Sequence, residues 1–146
     1  MAITASGLYG LTLEKIFIDT AGQSIEAETH NVALLTNANT PDFDAHNFRD
    51  DVTETSGTGY SAGGDNLTST EFTLSGGTAK FDAADSAWTS STITARAALG
   101  FFDIGAAATD MLIWLSNFGA DASTVSGTFT VVYSASGIWT LDYTPA

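Results

Sequence analysis

Three features of this sequence predict an all-β, antiparallel fold. Apolar residues recur at every second position in several short runs, which places them on one face of a strand. Clusters of glycine, serine and aspartate separate the runs at short intervals. Threonine and serine are abundant, and no repeat of solenoid length occurs. Together these predict a β-sandwich, possibly of jelly-roll type, as a single domain over residues 1–146. A chain of this size hides roughly 70% of its unfolded surface on folding, which is enough for a substantial core.

Taken in chain order, the one helix expected lies within residues 1–22. Ser6 is a candidate N-cap, Leu8, Leu11, Ile16 and Ile18 spread along one side, and Gly22 is a stop. Gly10 and the β-branched residues near Ile16 oppose it. Asn31–Thr36 (NVALLT) reads as a short buried strand. Residues 37–67 form a long polar loop that contains Pro41, four aspartates and SGTGYSAGGD, with a short helix around Asp44–Val52 as the alternative.

STEFTLS and TAKFDA flank Gly76-Gly77 and predict a hairpin, with Phe72 and Leu74 alternating in one arm and Ala79 and Phe81 in the other. In STITARAALGFFD, the residues Ile93, Ala95, Ala97, Leu99 and Phe101 share one face at period two. DMLIWLSNF is continuously apolar and reads as a strand buried on both faces. GTFTVVY places Phe129, Val131 and Tyr133 on one face; Ser134–Gly137 is a turn, and Trp139, Leu141 and Tyr143 alternate beyond it. About seven strands result.

Charge narrows the function. Seventeen acids face four bases, a net charge of −13. Phosphate backbones require clustered Lys and Arg, so nucleic acid is not an expected partner, and neither is an anionic membrane. With no cysteine, disulfides, thiolate catalysis and Cys-based zinc sites are excluded. MAITASGLYG has neither the basic nor the apolar region of a signal peptide, and no apolar run approaches a membrane span.

TPDFDAHNFRDDV concentrates the candidate chemistry: Asp42, Asp44, Asp50 and Asp51, with His46 and Arg49. Asp42 and Asp44 match the start of an EF-hand loop, but His46 and Asn47 break the ligand pattern and no central glycine follows. The structural reading is a turn begun by Asp42, an N-cap at Asp44, Phe43 and Phe48 anchored on the core, and Arg49 paired with an acid at the surface. No metal is assigned there.

Neither His30 nor His46 sits in a triad or zinc-binding pattern. Gly57-Thr58-Gly59 and Gly63-Gly64 lack the lysine of a phosphate loop and read as a flexible turn. Asn66-Leu67-Thr68 matches a glycosylation sequon without a secretory context. Asp82 and Asp85 would form a glycosidase pair only if the fold converged them. Trp88, Trp114 and Trp139 offer sugar-stacking rings, although the last two lie in core-like strands. Arg96, opposite the apolar face of its strand, reads either as a cross-strand partner of an acid or as an interface anchor.

Several stretches, taken in order, carry a resemblance: GLYGLTLEKIFIDTAG, NVALLTN, TPDFDAHNFRDDV, VTETSGTGYSAGGDNL, FDAADSAWTSSTITARAALGFFD and GTFTVVYSASGIWTLD. They resemble small structural virion proteins of tailed bacteriophages: head decoration (cement) proteins or tail-associated components. The resemblance covers nearly the whole chain and carries no catalytic motif. It implies a β-rich fold, no enzymatic activity, no cofactor and no transferable site residue. It also implies assembly in many copies on the outer surface of the particle, after synthesis in the host cytoplasm. The expected partners are the major capsid protein or other virion proteins, and further copies of the chain. A tail or fibre module that binds a receptor or carbohydrate is the alternative, and a small hydrolase using Asp82, Asp85 or the 42–51 acids is the competitor from another class.

Overall fold

NVALLT becomes the centre of the fold. It lies in strand β2 (His30–Leu35), whose six residues are all buried. The computed structural model describes residues 2–12, 25 and 28–142. Within them β2 joins β1 (Gly7–Leu8), β3 (Asp65–Asn66), β7 (Thr94–Phe102) and β8 (Leu112–Ser123) in a five-stranded sheet of order β1-β8-β7-β2-β3. A second sheet, β10-β5-β4, is built from Trp139–Asp142, Thr78–Asp82 and Glu71–Ser75. β6 (Ser86–Ser91) and β9 (Gly127–Val131) form a third. Every pairing is antiparallel. The fold is all-β, as the alternating pattern predicts, and its strands divide five, three and two.

Both faces of the large sheet are covered, which explains why its central strands are continuously apolar. Side chains alternate across a strand, so Val32 and Leu34 enter one cluster while Ala33 and Leu35 enter another. The first cluster meets Phe81, Trp88, Phe129 and Val131 from the two smaller sheets. The second is closed by Ile3, Tyr9 and the partly buried Phe43 and Val52. Each large apolar side chain removed from water in this way contributes about 1.5–3 kcal/mol. Trp114 fits because Gly100 lies opposite: a Cβ there would stand 2.0 Å from the indole Nε1.

Several expectations need correction. Ile93, Ala95, Ala97, Leu99 and Phe101 do not share one face. The register shifts between Ala95, opposite Ala122, and Ala97, opposite Asn117. Ile93 and Ala95 enter the first cluster; Ala97, Leu99 and Phe101 enter the second. A bulge thus reverses the sidedness that strict alternation predicts.

The N-terminal helix does not begin at Ser6. Gly7 and Leu8 pair with Leu115 and Trp114, and the Ser6 hydroxyl accepts from the Asn117 N–H. Residues 10–12 are helical; Ile16, Ile18 and Gly22 lie outside the described residues, as does Tyr143. Ten strands are present among the described residues, against about seven expected. The extra ones include the two-residue β1 and β3, too short to leave a period.

The hairpin around Gly76-Gly77 forms as β4 and β5, but Leu74 is 64% exposed. The 37–67 segment contains β3 and a 3-10 turn at Arg49–Asp51, inside the alternative helix window. It lies against the large sheet rather than reaching away: the Thr55 N–H donates to Leu34 O, and the Thr55 hydroxyl to Thr94 O.

Candidate functional site

The acid-rich loop is organised around Arg49. The 3-10 turn sets this residue under the 37–67 segment, where its side chain is only 16% exposed. Nη1 meets Glu54 Oε1 at 2.7 Å, and Nε meets Asp110 Oδ2 at 2.9 Å. The guanidinium also stands 5.2 Å from the centre of the Phe101 ring, a cation–π contact.

Both carboxylates are further satisfied. Glu54 accepts from the Tyr60 hydroxyl at 2.5 Å and from the Gly63 N–H. The Tyr60 oxygen accepts in turn from the Leu34 N–H at 3.0 Å. Asp110 Oδ1 accepts from the N–H groups of Ile104 and Gly105. The network therefore ties the turn, the glycine-rich stretch and the β7–β8 connection to β2.

Electrostatics follow the geometry. Burial alone would lower the Arg49 pKa, but the Glu54 and Asp110 carboxylates outweigh it and raise it. Burial, then the adjacent Glu54, pushes the Tyr60 phenol well above its ordinary value. A fully satisfied buried network of this kind fixes conformation.

The predicted pairing of Arg49 is right in kind and wrong in place. Its partners are Glu54 and Asp110, neither of them among the 42–51 acids, and the pair is nearly buried. Glu54 and Tyr60 sit five and eleven residues downstream in a polar stretch without periodicity; Asp110 is sixty-one residues away. Only a fold-level pairing brings them together.

The other acids of the loop serve its backbone. Asp42 Oδ1 accepts from the N–H groups of Asp44 and Ala45, each at 3.0 Å, which is the expected turn. The N-cap position of the 3-10 turn is Phe48, not Asp44, and Asp51 at the end of the turn reaches back to it: its Oδ2 accepts from the N–H groups of Asn47 and Phe48 at 2.8 and 2.9 Å. These bonds, from Phe48 and then Asn47, hold the Asp51 carboxyl below its ordinary pKa. Asp44 and Asp50 are exposed. Phe43 and Phe48 pack on the two clusters as anticipated. His46 Nδ1 accepts from the Asp42 N–H at 3.4 Å. Among the described residues no three His, Asp or Glu side chains converge as a metal site.

The remaining candidates are also placed. Asp82 pairs with Lys80 at 3.2 Å and accepts from the Ala83 N–H. Asp85 accepts from the Tyr133 N–H at 2.9 Å, so each carboxylate finishes a strand end. Trp88 is buried between Tyr60 and Phe129, Trp114 is buried against Tyr133, and Trp139 packs on Phe81 and Phe72. The three indoles thus belong to the packing and form no common stacking surface. Arg96 reaches Asn117 and Asp121 across β7–β8, the cross-strand reading. Asn66 is exposed in β3.

His30 is buried between Phe81 and Phe102, each ring centre 5.1 Å away, and burial lowers its pKa to about 4. Gly57 and Gly64 are not free turn residues. Gly64 holds φ +66°, and a Cβ there would stand 1.9 Å from Val32 O. A depression of about 600 Å³ is lined by Thr36, Thr55, Thr92 and Thr124 with Asp121, the partner of Arg96. It has no second carboxylate to complete an acid/base pair.

No family model matches this chain, and no curated protein or solved structure shows detectable similarity to it.

Proposed function

We propose that this chain is a non-enzymatic structural protein of a bacteriophage particle. In this reading it is a decoration (cement) protein on the outer face of the head, bound to the major capsid protein and present in many copies. The observation that carries the reading is the use made of the polar side chains. The clustered acids that would serve an enzyme or a metal are occupied instead: Asp42, Asp51, Asp82 and Asp85 accept from backbone amides, and Glu54 and Asp110 hold Arg49. What is left is a β-rich shell with a strongly acidic exterior. The ordered resemblance of the sequence to small virion proteins supports the same role.

The mechanism is thermodynamic. A protein that binds the assembled, expanded shell and not its free subunits shifts the equilibrium toward the assembled state. The acid surplus suits a partner surface of positive potential and keeps the protein away from the packaged nucleic acid and from anionic membranes. No helix among the described residues is long and apolar enough to cross a membrane. The alternative role is a tail or fibre component.

Copy number decides between these roles. Particles purified from cells that express the gene are analysed for this chain against the most abundant virion protein. A simple ratio to the shell subunit supports decoration. A small fraction of that ratio moves the chain to the tail, and absence from the particle overturns the virion reading.

A further inference from the structure

β9 has only β6 as a pairing partner, so its other edge is open among the described residues. The ladder fixes which groups face that edge. The Tyr133 N–H donates to Asp85 beside β6, and the Gly127 carbonyl accepts from the Ser91 hydroxyl on the same side. Backbone direction alternates along a strand, so Thr128, Thr130 and Val132 turn their N–H and C=O groups outward. All three residues are exposed, Val132 at 73%. Beside them a cleft of about 180 Å³ opens toward β8, lined by Phe118, Ala122 and Tyr133.

Exposed edges in natural proteins are guarded by charge, proline or a bulge. Here charge and proline are both missing, and the one irregularity of the ladder, between Trp88 and Ser91, lies on the β6 side. Residues 122–141 contain no Asp, Glu, Lys, Arg or His in a chain with seventeen acids. We propose that this edge pairs with the same edge of a second copy, antiparallel about a two-fold axis at Thr130. Thr128 then faces Val132 of the second copy, and each facing pair exchanges two hydrogen bonds.

Charge selects this occupant. Two chains of net charge −13 repel wherever acids meet, and the β9 edge is the stretch where they approach without bringing acids together. A basic arm from another protein is drawn to the acid-bearing surfaces and gains nothing from this edge. The inference stands on the strand edge and does not rest on the proposed role in a particle.

Sedimentation of the purified chain tests it. The wild type is expected to form a dimer whose fraction rises with concentration and with salt, because salt screens the overall repulsion. Val132→Lys guards the exposed edge, and Thr130→Pro removes the N–H on the axis at a position where an edge tolerates proline. Each should weaken the dimer by about tenfold or more while circular dichroism stays unchanged. Leu74→Lys, exposed on β4, should leave it intact. A wild type that stays monomeric at high salt, or a dimer that survives both β9 variants, overturns the proposal.

Discussion

Replacing Arg49 with methionine keeps most of the side-chain stem and deletes the charge. It leaves Asp110, 1% exposed, and Glu54, 11% exposed, without their counter-ion. Removing one partner of a buried pair costs about 3–5 kcal/mol, because the stranded carboxylates have lost water and gained nothing in return. A surface pair would cost under about 1 kcal/mol. At roughly 2–4 °C per kcal/mol for a chain of this size, Tm should fall by about 6–20 °C. Urea and thermal melts followed by circular dichroism measure both quantities. Combining Arg49→Met with Glu54→Gln and Asp110→Asn removes the stranded charges and should recover part of the loss, since residues of one network are not additive. A single-variant loss below about 1 kcal/mol would refute the claim that this network holds the loop.

Three further outcomes follow from the packing. His30 titrates near 6.5 when unfolded and near 4 when buried, so the unfolded chain binds the extra proton between those values. Its contribution is therefore lost as pH falls from 6.5 to 4, by about 3 kcal/mol, and His30→Phe should flatten that part of the stability–pH curve. Gly64→Ala combines a left-handed φ with a Cβ 1.9 Å from Val32 O and should cost at least about 2 kcal/mol in urea unfolding. Asp85→Asn keeps an acceptor for the Tyr133 N–H and should change stability by under about 1 kcal/mol, without altering binding to particles; a hydrolase activity that vanished with the carboxylate would revive the enzyme reading.

The β class was legible because alternation and turn residues are local signals. The Gly76-Gly77 hairpin follows from them, while the continuous apolar runs in NVALLT and DMLIWL announce the buried β2 and the buried start of β8. The face reversal in β7 was not legible. Its cause is a register shift against β8, and the sequence of β7 keeps its period across it. β1 and β3 are two residues each and rest on their neighbours' ladders rather than on any pattern of their own.

The Arg49 network divides in the same way. A lone arginine among acids announces an ion pair, but the sequence alone places that pair at the surface, and its near-burial comes from the fold. The identity of Asp110 as partner depends on which loops the sheet order brings together. The open edge of β9 has a sequence trace, the charge-free stretch 122–141, but its significance appears only when the sheet partition leaves that strand unpaired on one side.

The central claim is that the chain acts by binding an assembled shell. Its most direct test adds the purified protein back to particles made without it, and follows both co-sedimentation and the temperature at which the particles open. The account predicts saturable binding at a fixed ratio to the shell subunit and a higher opening temperature. Particles that neither bind the chain nor gain stability from it would contradict the account.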